Sequence, residues 1–210
     1  MTSTTVLAGS RPVAQALRRF GVAAALLGLA AGCGGSAATP PASPVPRAAA
    51  PEPPAVLREA TLKPGQPVPV PKGRRVLTLT GRISAANQGS TLVLDRDVLD
   101  QMGVVKVRVY EPWVKENLDF RGVWLQDLLK VAEAAPDVSK LRITALDDYR
   151  VDLTMADVRA GGILVATSSG DGSAIPVEKG GPTRIVFVGG VEAGANASQW
   201  IWSLKTIDVQ

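Results

Sequence analysis

The chain has 210 residues, of which 46% are hydrophobic and 20% charged, a composition that excludes a wholly disordered protein. It contains no histidine and only one cysteine, so it cannot form a Ser-His-Asp triad, a histidine-based metal site or an internal disulfide. The formal net charge of +4 includes three arginines in the first 33 residues, which hold no acidic residue, and the nearly neutral remainder argues against binding to nucleic acid.

Residues 1–33 are expected to form an export signal. The first 19 residues are polar and basic, and the apolar run FGVAAALLGLAA at 20–31 is too short to span a bilayer, which is typical of a signal-peptide core. The segment LAAGC ending at Cys33 resembles the bacterial lipobox, although Ala30 stands where that motif usually has leucine. We expect lipid attachment at Cys33, with an ordinary cleaved secretory signal as the alternative. Since Gly34 follows instead of aspartate, the resemblance implies a periplasm-facing anchor in the outer membrane.

Residues 34–73 are predicted to be an extended tether. This stretch holds most of the prolines and shows no apolar periodicity, which is typical of a linker that holds a domain away from a membrane. Only residues 68–71 are expected to be able to pack onto the domain. We place the folded domain at residues 74–210.

Alternating apolar and polar residues predict a series of short strands from Arg74 onward. Strands are expected at 76–83 and 91–95, with a turn at Gly89, and at 104–110, where every second residue is valine. A helix is predicted to begin near Gly122 and to end at Pro136. Further strands are predicted at 141–146, 150–153, 163–167, 185–188 and 200–209, with a helical turn at 155–159. The pattern predicts an α+β domain that is mainly β, with one or two short helices.

Six segments in this order carry a resemblance to a known family. They are LTLTG at 77–81, FRGVWLQDLL at 120–129, ALDDY at 145–149, DG at 171–172, KGGPTRIV at 179–186 and WIWSLKTI at 200–207. Their order and spacing resemble the molybdopterin-binding domain of the sulfite oxidase superfamily. The resemblance implies a mixed β-sheet of that type with a pterin pocket.

The chain departs from this family at the metal. In the redox enzymes of the family a cysteine thiolate binds molybdenum, and the corresponding place here is near Val109-Tyr110, where no thiol is present. The chain therefore resembles more closely the small periplasmic proteins without this cysteine, which bind a plain reduced pterin and signal to a membrane diguanylate cyclase, a phosphodiesterase or a sensor kinase. The resemblance implies a pterin cofactor, reduced or molybdopterin-like, without molybdenum, and we name no catalytic residue and no metal ligand.

The flat pterin ring, with its guanidine-like edge, needs aromatic faces and a carboxylate that accepts two N–H groups. Asp147, Asp148 and Tyr149 at a turn between strands are candidates, the alternative being a β-turn in which aspartate bonds its own backbone. Trp113 is a candidate because it follows a proline in a loop. Glu111 beside this loop is a further candidate.

Two more pairs complete the candidate site. Trp200 and Trp202, two residues apart on a predicted strand, would share one face, with a core stripe as the alternative. Lys179 and Arg184 flank a Gly-Gly-Pro segment, and either could donate to the pterin carbonyl or to a side-chain oxygen, with solvated surface as the alternative. We assign Trp124 to the core.

Three functions follow from this reading of the sequence. We expect a lipid-anchored periplasmic pterin-binding protein that is not a catalyst and signals to a membrane partner. The alternative is a molybdopterin-dependent periplasmic oxidoreductase, or a subunit of one, so whether the chain is an enzyme stays open. The third is an interaction scaffold that kept the fold and lost the pocket.

Overall fold

The computed structural model describes residues 52–189 and 197–210. The predicted export signal, Cys33 and the first part of the predicted tether lie outside these residues. Among the described residues, no helix has the length and hydropathy needed to cross a membrane.

Ten strands and three short α-helices form the described part of the chain. The strands are β1 (Ala55–Arg58), β2 (Leu77–Gly81), β3 (Leu92–Leu94), β4 (Val104–Glu111), β5 (Glu116–Trp124), β6 (Lys140–Ala145), β7 (Arg150–Thr154), β8 (Ile163–Ser169), β9 (Arg184–Phe187) and β10 (Leu204–Val209). The helices are α1 (Arg96–Asp100), α2 (Leu125–Val131) and α3 (Met155–Ala160). This confirms the predicted mainly β, α+β class.

The strands form two five-stranded sheets. The first has the order β1-β4-β5-β8-β9 and is antiparallel throughout, and the second has the order β3-β2-β10-β6-β7. In the second sheet the C-terminal strand β10 lies parallel to β2 and antiparallel to β6, so that sheet is mixed, as predicted. One cluster of buried apolar side chains contains residues of both sheets, of α2 and of the segment before β10.

The alternation in β4 shows why this strand was predictable. Val105, Val107 and Val109 are buried, whereas Arg108 and Tyr110, which alternate with them, are exposed. Successive side chains of a strand point to opposite faces, so β4 has an apolar inner face and a polar outer face. The last inward position of this strand holds Glu111, a charged residue where the pattern calls for an apolar one.

Two strands and one helix were missed by the sequence reading. The predicted helix at Gly122 begins only at Leu125, because the residues before it belong to β5, which pairs with both β4 and β8. Helix α1 was not predicted, and neither was β1, which pairs with β4. Leu62 and Val68 are also buried. The folded part of the chain therefore begins before Arg74, and the second half of the predicted tether packs onto the domain.

Candidate functional site

The carboxylate of Glu111 is buried and fully bonded. Its Oε1 accepts hydrogen bonds from Nη2 of Arg184 at 2.8 Å and from Nε1 of Trp202 at 3.3 Å. Its Oε2 accepts from the backbone N–H groups of Trp113 at 2.9 Å and Val114 at 2.6 Å. The side chain is 0% exposed. Four donors converge on its two oxygens, and they occupy the lone pairs that a metal ion would need.

Arg184 is the first residue of β9 and is buried next to Glu111. Its guanidinium group is 2% exposed and is held between two aromatic rings, 5.0 Å from the centroid of Phe120 and 4.7 Å from that of Trp202. Burial lowers the pKa of Arg184, and the hydrogen bond to Glu111 opposes this shift. Arg184 is therefore a buried structural cation rather than the solvated surface residue of the alternative reading.

Trp202 lies where several loops meet. Gly180 packs against its indole so closely that a Cβ there would lie 2.8 Å from Cγ of Trp202. The backbone N–H of Ser203 donates to the carbonyl of Gly180 at 2.7 Å, and the carbonyl of Ser203 accepts from the backbone N–H of Leu146 at 2.8 Å. Together with the hydrogen bond from Trp202 to Glu111, these contacts join three loops to the segment that contains Trp202 and Ser203. We call residues 112–115, 146–149, 177–181 and 200–203 the Trp202 loop cluster.

The Trp202 loop cluster contains exposed apolar side chains. Five of the exposed large apolar residues belong to it: Trp113, Val114, Leu146, Tyr149 and Val177. Trp113 at the tip of the β4–β5 hairpin is 59% exposed and Tyr149 is 48% exposed. The cluster thus presents two aromatic side chains to solvent.

In the turn at 147–149, one carboxylate bonds the backbone of the turn and the other forms an ion pair. Asp147 accepts a hydrogen bond from the backbone N–H of Tyr149 at 3.1 Å, which is the self-bonded turn considered as the alternative. Asp148 has a positive φ of 63° and forms an exposed ion pair with Lys205 at 3.2 Å. The hydroxyl group of Tyr149 donates to the carbonyl of Ser198 at 3.2 Å. Both carboxylates remain exposed, and Oδ1 of each accepts a hydrogen bond.

The remaining predicted residues have separate positions. Trp200 is 3% exposed and packs against Phe187 with ring centroids 6.0 Å apart, so its side chain belongs to the core. Trp200 and Trp202 precede β10 and are not strand residues, which corrects the expectation that they share a strand face. Lys179 is exposed, and it is its carbonyl that contacts Arg184, at 3.2 Å.

Sequence reasoning missed part of this site. Phe120, which covers one face of Arg184, was not a candidate because β5 itself was not predicted. Glu111 was named only as a further candidate, although a glutamate at an inward position of an otherwise apolar strand face is a readable signal of a buried charge pair. Its partner Arg184 lies 73 residues away along the chain, and nothing in a single sequence joins them.

Comparison with known proteins identifies the domain. The family model described as the oxidoreductase molybdopterin binding domain matches residues 95–210, which is more than half of the chain. The chain belongs to this family. No curated protein sequence matches the chain.

A solved structure agrees with this family assignment at the level of the fold. The sulfane dehydrogenase SoxCD from Paracoccus pantotrophus has a similar fold, with a TM-score of 0.51 and 17% sequence identity. The match covers 64% of this chain and 37% of that chain, so this protein spans little more than a third of its neighbour's length.

A molybdenum-loaded molybdopterin has two parts to be held, the pterin ring and the metal, and the described residues suit them differently. Exposed aromatic faces and carboxylates in the Trp202 loop cluster suit a pterin ring. At the end of β4, where the resemblance implies a metal-binding thiolate, Val109 is buried, Tyr110 is exposed and Glu111 is fully bonded. Within residues 52–189 and 197–210, no group of three or more His, Cys, Asp or Glu residues could hold a metal ion. The exposed side chains of the cluster suit a pterin ring, and the described residues at the end of β4 offer no thiolate to a metal.

Proposed function

We propose that this member of the molybdopterin-binding domain family binds a pterin through the Trp202 loop cluster and holds no molybdenum through a protein ligand. The observation that supports this most strongly is Glu111. It lies at the end of β4, next to the position where the family resemblance implies a metal-binding thiolate, and both its oxygens accept hydrogen bonds, from Arg184, Trp202 and the hairpin backbone. A carboxylate held in this way serves the fold and not a metal.

In the proposed complex the exposed rings of Trp113 and Tyr149 are the stacking faces. The free carboxylate oxygens of Asp147 and Asp148 accept N–H groups of the guanidine-like edge, and the ammonium group of Lys179 donates to the ring carbonyl. Trp202 and Arg184 do not contact the pterin in this complex. They hold in place the loops that present these groups, through their hydrogen bonds to Glu111 and to the carbonyl of Lys179.

We further propose that the protein is lipid-anchored at Cys33, faces the periplasm and passes the pterin signal to a membrane partner. The order of a short apolar run, a single cysteine and a Pro-rich stretch supports this proposal. A diguanylate cyclase, a phosphodiesterase or a sensor kinase is the partner that the family resemblance favours.

A second candidate function is a molybdopterin-dependent oxidoreductase, or a subunit of one. It is favoured by the family description and by the similarity to a sulfane dehydrogenase. Because the chain spans only 37% of that neighbour, a further subunit would supply the missing part of such an enzyme.

Equilibrium dialysis of the purified protein against tetrahydropterin, without oxygen, tests the proposed site. Loss of one stacking face costs about 1 kcal/mol, so we expect Trp113→Ala to bind several-fold more weakly. Tyr110→Ala is the matched control, since Tyr110 is similarly exposed but lies on the outer face of β4, outside the cluster. Equal affinity of wild type, Trp113→Ala and Asp148→Ala would refute the site and favour an interaction scaffold.

A further inference from the structure

A second concave site lies apart from the Trp202 loop cluster. It is a cleft of about 390 Å³ between the edge strand β1, helix α1 and the turn after β8, and it shares no lining residue with the cluster. Three arginines line it, Arg58, Arg96 and Arg121, together with the carboxylates of Asp100 and Asp171. The lining groups therefore carry a surplus of positive charge.

Two of these arginines are fixed by neutral acceptors. Nη2 of Arg96 donates to the carbonyl of Gly172 at 2.8 Å, and Nε of Arg121 donates to the carbonyl of Gly170 at 2.8 Å. Asp100 and Asp171 interact electrostatically with Arg96 and Arg121, respectively, but within the described part of the chain neither guanidinium group lies within ion-pair distance of a carboxylate. A carbonyl oxygen leaves the charge of its donor unneutralised, and each guanidinium group retains further N–H groups for a ligand.

The backbone of Gly172 forms the wall against which Arg121 packs. A Cβ at this glycine would lie 2.9 Å from Nη1 of Arg121, and its φ of +92° is one that other residues rarely adopt. Both the direction and the close approach of the guanidinium group therefore depend on this turn. The cation is positioned by the fold before any ligand arrives, which lowers the entropic cost of binding.

The carboxylates neutralise the cleft only in part. Nη1 of Arg58 is 3.9 Å from Oδ2 of Asp100, longer than a hydrogen bond, so this arginine is loosely held. Oδ1 of Asp171 accepts from the backbone N–H and the hydroxyl group of Ser173 at 2.9 and 2.7 Å. Burial raises the pKa of Asp100, although the nearby charges of Arg96 and Arg58 act to lower it.

We propose that this cleft binds a tetrahedral oxyanion, a phosphate or sulfate group. Arg96 and Arg121 donate to it from fixed positions, and Arg58 closes on it from β1. Guanidinium groups suit such an anion because their N–H groups form paired, charge-assisted hydrogen bonds with its oxygens. This inference is independent of the proposed pterin site.

Isothermal titration calorimetry of the full-length protein with inorganic phosphate and with sulfate, at ionic strength held constant with chloride, tests the proposal. We expect saturable binding that Arg121→Gln weakens at least about tenfold, the usual value of a charge-assisted bond. Arg75→Gln is the control, because Arg75 is exposed and does not line the cleft. No saturable binding by wild type, or equal binding by the two variants, would overturn the proposal.

Two additions keep the test decisive. Circular dichroism checks that Arg121→Gln folds, and if it does not, Arg96→Lys replaces it, since lysine keeps the charge, loses the paired geometry and should also bind more weakly. Vesicles of phosphatidylglycerol identify the source of the anion. Displacement of inorganic phosphate by the vesicles supports a lipid headgroup as ligand, and lack of displacement supports a soluble anion.

Discussion

Replacing Glu111 by glutamine should strongly destabilise the fold. The amide is nearly isosteric with the carboxylate but has one oxygen for the four donors that converge on Glu111. If that oxygen faces the hairpin, Arg184 and Trp202 lose their acceptor; if it faces Arg184, two backbone N–H groups lose theirs. In either orientation the 2% exposed cation of Arg184 loses its counter-ion. Breaking a buried pair in this way costs about 3–5 kcal/mol, and we expect Glu111→Gln to fall in that range.

The assay is urea unfolding followed by circular dichroism, with the free energy of unfolding taken from the midpoint and slope. The matched control is Asp127→Asn, because the Lys130–Asp127 pair has the same N···O distance of 2.8 Å with side chains 62% and 42% exposed. We expect the control to change stability by less than about 0.5 kcal/mol. The double variant Glu111→Gln/Arg184→Met removes both charges and should be more stable than the sum of the single variants predicts. A cost for Glu111→Gln no larger than that of the control would refute the buried ion pair.

Two further predictions concern packing and pH. Gly180→Ala should destabilise by clearly more than Gly89→Ala, since both glycines have positive φ but only Gly180 would place its Cβ against an indole; comparable losses in urea unfolding would argue against the close contact. The hydrogen bond from Arg142 lowers the pKa of Asp152 from 3.8 to about 2. Its contribution to stability is therefore present above pH 3.8 and is lost as the pH falls toward 2. Asp152→Asn should flatten the acid side of the stability profile in that window, and an unchanged profile would contradict the assigned pairing.

Periodicity predicted the strands whose two faces differ. The valines of β4 alternate with polar residues, and the buried residues of β6 alternate with partly buried ones. In contrast, all four residues of β1 are exposed, so the strand is held by backbone pairing with β4 and carries no apolar pattern. Strand β5 runs into α2 with no turn residue between them, and its last residues were therefore assigned to the helix.

The candidate site was predictable in its exposed part and not in its buried part. Trp113 stands out as a large aromatic residue after a proline in a loop, and the turn at 147–149 as two adjacent carboxylates followed by a tyrosine. Arg184 was a candidate donor to the pterin, with solvated surface as the alternative, and neither interpretation placed it in the core, since arginine is rarely buried without a partner. Its partner Glu111 comes near only when β4 and β9 are placed in one sheet, which is a long-range property that local patterns do not contain.

The central claim, a pterin bound without protein-ligated molybdenum, is tested most directly on protein purified from its native host. The denatured extract would be examined by pterin fluorescence and by elemental analysis for molybdenum. We predict pterin in stoichiometric amount without molybdenum. Stoichiometric molybdenum together with a pyranopterin would contradict the claim and identify the protein as a redox enzyme of this family.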